Sequence, residues 1–99
     1  MLFAILCFDK PDGLSVRQAT RPLHLEYLSD AGDRVKLAGP LLGPGDDGTP
    51  IGSMIVIDAA SEAAVQLFAS NDPYATAGLF ERVEIHPWVR GMGTWGAND

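Results

Sequence analysis

A chain of 99 residues holds a single hydrophobic core, and 46% apolar content with 8% aromatics is globular rather than disordered or collagen-like. The net charge of −6, with 7 scattered Lys and Arg, argues against a nucleic-acid partner, because phosphate binding needs clustered cations. The one cysteine, Cys7, leaves no internal disulfide to scaffold the fold and suits a reducing cytoplasm.

The first element is the apolar run Leu2 to Phe8, which reads as a strand buried on both faces and bounded by Asp9-Lys10-Pro11-Asp12-Gly13. It lacks the basic flank and cleavage site of a secretory leader, and seven residues are too few to cross a bilayer, so no membrane partner is expected. Cys7 inside it reads as a small buried hydrophobe rather than a nucleophile. A helix in two parts is expected next. Ser15 caps a first turn, Pro22 interrupts the pattern, and Thr20 caps a renewed helix that carries Leu23, Tyr27, Leu28 and Ala31 to a stop at Gly32.

Val35 to Leu42 is a second strand, edge-like at Gly39-Pro40, and residues 43–50 form a loop by composition. Ile51 to Asp58 is a third strand with apolar residues for both faces. Ser61 caps a second helix through about Ala69, broken by Asn71-Asp72-Pro73-Tyr74. A short turn over 75–78 leads to a last strand, Leu79 to Trp88. Residues 1–90 make one domain, and 91–99, with Trp95, form a tail left without assigned structure.

The order β-α-β-β-α-β is the ferredoxin-like pattern: an α+β fold with a four-stranded antiparallel sheet and both helices on one face. With the first strand running upward, helix one begins, the central hairpin turns and helix two ends at the same edge. Asp9, His24, the 43–50 loop and Asp72 gather there, and His86 lies at the other end.

On a helix, residues three and four apart share a face, which places Arg21 with His24, and adds Arg17 if the helix continues through Thr20. An imidazole near a carboxylate is equipped for general acid/base work, although His24 also fits a hydrogen-bonded core-edge histidine. Asp72 before Pro73 also builds a turn by bonding backbone N–H groups, a role compatible with chemistry. Tyr74 offers either a phenol donor to a ligand or a packed aromatic beneath the loop.

Two other patterns carry little. Gly43-Pro44-Gly45-Asp46-Asp47-Gly48 matches G-x-G-x-x-G, yet a strand rather than a helix follows, and its two aspartates repel phosphate. His24 and His86 fall at opposite ends of the sheet with no further Cys or His to complete a tetrahedral site, so no metal is expected.

Asp9-Lys10, Arg21-Pro22-Leu23-His24-Leu25, Ala38-Gly39-Pro40, Gly52-Ser53 and Asn71-Asp72-Pro73-Tyr74 before Ala77-Gly78, in this order, resemble the YciI-like (YCII-related domain) family over about residues 1–89. The stretch Ser29 to Lys36 departs from that pattern. The resemblance implies a ferredoxin-like fold of the dimeric α+β barrel type and a His/Asp-centred site, with His24 and Asp72 in the two positions. A member of the family dehydrochlorinates a chlorinated hydroquinone.

The expected function is a cofactor-independent acid/base enzyme of lyase or isomerase type acting on a small molecule. In it His24 moves the proton, Asp72 orients it, Arg21 meets an anionic group, and Gly39, Ser53 and Tyr74 line the pocket. The alternative is a non-catalytic small-ligand-binding or accessory module. Either is compatible with a homodimer through the sheet face that the helices leave bare.

Overall fold

The computed structural model describes residues 1–45 and 47–93; Asp46 of the hairpin loop and the tail from residue 94, with Trp95, lie outside them. Four strands and three helices follow in the order β1 (Leu2–Asp9), α1 (Leu14–Asp30), β2 (Val35–Leu42), β3 (Pro50–Asp58), α2 (Glu62–Asn71), α3 (Pro73–Thr76) and β4 (Phe80–Pro87), with a 3₁₀ turn at Gly32–Arg34. The sheet order is β2-β3-β1-β4 with every neighbour antiparallel, so the ferredoxin-like α+β fold expected from the element order is the one observed.

Alternation along β1 decides which face is buried. Phe3, Ile5 and Cys7 point to one side and are at most 2% exposed, and their partners Ile57, Ile55 and Ser53 on β3 share that side. Val65, Phe68 and Ala69 of α2 and Ala31 at the end of α1 close the core over them, with Tyr27 and Leu28 packed at its edge. The Tyr27 hydroxyl donates to the Phe68 carbonyl at 2.8 Å and ties the two long helices together. Each fully buried Ile or Phe contributes about 1.5–3 kcal/mol of apolar burial. Gly52 is required by close approach: a Cβ there would fall 2.2 Å from the Cys7 carbonyl oxygen. Its absence lets β1 and β3 pair tightly beside Ser53.

The expected division and capping of the first helix fail. Pro22 does not divide the first helix, and α1 runs unbroken from Leu14 to Asp30. Proline removes the N–H that would bond the carbonyl of Gln18, but both residues are exposed, so the freed carbonyl is open to solvent rather than stranded in the core. Neither Ser15 nor Thr20 is a cap; the helix begins after Gly13, without a capping side chain. Ser61 does cap α2, its Oγ accepting from the Ala64 N–H at 3.2 Å. The segment read as a break and turn after α2 contains the short helix α3, capped by Asp72, with Pro73 in its first turn. Among the described residues no helix is long and apolar enough to cross a membrane.

Candidate active site

Continuity of α1 through Pro22 has a consequence for the site. Arg17, Arg21, His24 and Leu28 stand four, three and four residues apart, one row along the helix, and all four line a cavity of about 340 Å³. The opposite wall is Ala38, Gly39 and Pro40 of β2 with Ser53 of β3, and Tyr74 of α3 contributes from a third side. Of the residues expected to line a pocket, Arg21, Gly39, Ser53 and Tyr74 all do so. Gly39, having no side chain, contributes backbone to the wall, and a Cβ there would meet nothing within 4 Å. Of the 43–50 loop, the cavity wall includes only Pro50, which the structure assigns to β3.

Behind the cavity, the carboxylate of Asp72 meets Nδ1 of His24 at 2.9 and 3.0 Å, and both residues are buried. An ionised carboxylate only accepts, so Nδ1 carries the hydrogen and Nε2 holds the lone pair of the neutral ring. The same carboxylate also accepts from the Tyr74 N–H at 2.9 Å. The turn-building and histidine-orienting roles of Asp72 are therefore filled together: capping α3 fixes the carboxylate that fixes the imidazole.

Tyr74 is 1% exposed, and its ring stacks on that of His24, with centroids 4.0 Å apart and 18° between planes. Burial raises the pKa of its phenol, with the Asp72 charge adding to the rise while Arg17 and Arg21 oppose it; the phenol stays neutral. Phe80 meets the Tyr74 ring edge-on at 6.0 Å and holds it in place.

A second buried ion pair adjoins the first. Arg17 donates through Nε to one oxygen of Asp9 at 2.8 Å and through Nη2 to the other at 3.0 Å, a two-point fork that burial keeps from solvent. Nη2 also donates to Ser53 Oγ at 2.9 Å, and the guanidinium carbon lies 4.6 Å from the Tyr74 ring centroid. Burial works against the charge of Arg17, but its bonds to Asp9 outweigh that, and its pKa rises above the ordinary value. Sequence reasoning placed Asp9 at this edge and Arg17 conditionally on the His24 row without pairing them. The available clue was a carboxylate ending a strand eight residues before an arginine on the inner helix face.

Arg21 stands exposed at the rim and makes no ion pair with another described residue. His86 lies elsewhere, exposed on β4 and paired with Glu84 at 3.2 Å. Cys7 is free and buried, its thiol pushed up to about 12 by burial first and then by the charges of Asp72 and Asp9, which leaves it unreactive.

The family model of the YCII-related domain matches residues 1–89. The chain is 37% identical over 97 residues to protein YciI of Escherichia coli, covering 91% of this chain and 98% of that one. Its fold matches 5-chloro-2-hydroxyhydroquinone dehydrochlorinase (TftG) from Burkholderia phenoliruptrix, solved in complex with 2,5-dihydroxybenzoquinone. That match has a TM-score of 0.86 and 37% identity, covering 92% of this chain and 96% of the other. A Mycobacterium tuberculosis protein 16% identical to the chain shares the fold at a TM-score of 0.50, covering 93% of this chain and 100% of its own.

Proposed function

Because this chain belongs to the YCII-related domain family, we propose that it is a small acid/base enzyme that works without a cofactor on a small ring or carbonyl compound. His24 takes a proton at Nε2 and returns it, and the Asp72 carboxylate holds the ring and stabilises its charged form. Arg21 receives an anionic group at the rim, while Ser53, Tyr74 and the Gly39 backbone shape the walls. The reaction class is elimination or isomerisation. The observation that carries this reading is the buried His24–Asp72 pair, whose second ring nitrogen has no partner among the described residues and belongs to a side chain lining the cavity. A fold neighbour that eliminates chloride from a hydroxyhydroquinone and is 37% identical supports the same chemistry.

Chloride release from 5-chloro-2-hydroxyhydroquinone, and solvent deuterium incorporation into related hydroxyquinones, test the reading. Turnover by the wild type that is lost in His24→Gln supports it. Binding without turnover that survives His24→Gln indicates the alternative, a non-catalytic small-ligand-binding or accessory module.

The assembly that fits this reading is a homodimer. The sheet face away from the helices carries Leu2, Leu6, Phe8, Leu37 and Met54, of which Leu37 and Met54 are exposed. An apolar sheet face of this kind is covered most simply by its own copy. Light scattering at micromolar concentration is expected to give twice the chain mass, and a monomer contradicts the dimer. A cytoplasmic location fits the free thiol of Cys7.

A further inference from the structure

The site is built from two carboxylate-backed arms, and acid/base chemistry at His24 uses one of them. Asp72 backs His24, and Asp9 backs Arg17, whose Nη2 bonds Ser53. Both arms rest on one aromatic plate, the Tyr74 ring, with His24 stacked at 4.0 Å and the Arg17 guanidinium carbon at 4.6 Å from its centroid.

Ser53 is the end of the second arm. It is 3% exposed, and its hydroxyl oxygen accepts from Arg17 at 2.9 Å. A guanidinium has donors only, so the Ser53 hydroxyl hydrogen cannot be returned to it. No acceptor for that hydrogen occurs among the described residues, and the side chain lines the cavity. A buried donor is costly when left unmade, and the cavity is where its partner can come from. Arg17 draws electron density from the oxygen and sharpens the hydroxyl as a donor, while Asp9 cancels the net charge of the guanidinium. The hydrogen of this polarised hydroxyl is left for a partner in the cavity.

We propose that Ser53 is the oxyanion-binding donor of this site, with Arg17 and Asp9 as the residues that position it. The inference rests on the acid/base reading of His24. The substrate C–H bond breaks and its proton passes to His24 Nε2. The bonding pair moves into the conjugated system and leaves an enolate or phenolate oxygen, which accepts the Ser53 hydrogen. Collapse of that oxyanion expels a leaving group with its electron pair from the neighbouring carbon, or recovers the proton from His24 at a different carbon. No oxidant or reductant enters either course.

Two probes of nearly equal shape test this: 4-nitrophenol at a pH where it is ionised, and 4-nitroanisole, which has no oxyanion. Affinities are read by absorbance and by NMR shifts of the cavity residues. Wild-type protein is expected to hold the phenolate at least tenfold more tightly than the anisole. Ser53→Ala is expected to lose about tenfold in phenolate affinity with anisole binding unchanged. Arg17→Lys and Asp9→Asn are expected to lower the same ratio, which general loosening of the fold would leave unchanged. Equal binding of the two probes by the wild type, or a wild-type ratio in Ser53→Ala, overturns the proposal. A ratio kept in Ser53→Ala but lost in His24→Gln overturns it and leaves the acid/base reading standing. Failure of the wild type to bind either probe overturns the proposal, while the acid/base reading stands or falls by chloride release in wild type and His24→Gln.

Discussion

The chain has two histidines, each beside a carboxylate, and their surroundings make them different objects. His24 meets Asp72 at 2.9 Å with side chains 9% and 2% exposed, whereas His86 meets Glu84 at 3.2 Å with side chains 60% and 35% exposed. Water competes for every bond of the outer pair, and salt screens it, so it contributes little. The inner pair lies where dielectric screening is weak, its carboxylate is tied to a helix start, and its ring is backed by Tyr74. The contrast teaches that a His–carboxylate spacing has chemical meaning only once burial and orientation are known.

The largest expected difference between the two regions is in turnover. His24→Gln should lower the rate of chloride release or proton exchange by at least about a hundredfold, the usual range for a lost general base. His86→Gln should leave the rate within about twofold, measured under the same conditions. Comparable losses in the two variants would erase the distinction.

Stability separates the arginines in the same way. Arg17→Ala leaves Asp9 buried and uncompensated and is expected to cost about 3–5 kcal/mol in urea unfolding. Arg82 pairs with Glu84 at 3.1 Å but is 62% exposed. Arg82→Ala is therefore expected to cost under about 1 kcal/mol.

Asp72→Ala removes the α3 cap together with the His24 partner and is expected to cost about 1–3 kcal/mol. Glu84→Ala should change the unfolding free energy by about 0.5 kcal/mol or less. An equal shift for the two carboxylates would mean that the buried pair is not held as the structure shows it.

Cys7 sharpens the comparison from the core side, because it feels the charges of both Asp72 and Asp9. Its folded value of about 12 lies above its ordinary 9.0, so the folded state keeps a proton that the unfolded chain gives up first. Stability from this group is complete below about pH 9 and declines as pH rises from there toward 12. At pH 8 the expected effect on stability is nil, and iodoacetamide should label Cys7 only at the rate of unfolding. Rapid labelling of the native protein would show that the thiol is not sealed.

Much of this architecture was readable from local pattern. The apolar run of β1, the Ser61 cap and the glycine-rich hairpin are each set by residues close in sequence, and short-range sterics and hydrogen bonding decide them. From the order of elements alone, strand direction brought His24 and Asp72 to one edge, 48 residues apart in sequence, and the structure bonds them there. Three features were decided only by tertiary structure. Pro22 is tolerated because its missing hydrogen bond faces water, and which side of α1 faces water depends on how the helix lies on the sheet. The Asp9–Arg17–Ser53 network joins a strand end, a helix and a third element, and only close pairing of β1 with β3 across Gly52 brings the last of these into reach. Tyr74 became a plate for His24 rather than a loop aromatic because capping by Asp72 turns the chain so that the ring enters the site. Residue type and spacing determined what chemistry was available; burial and orientation, which come from packing distant segments together, determined where it is concentrated.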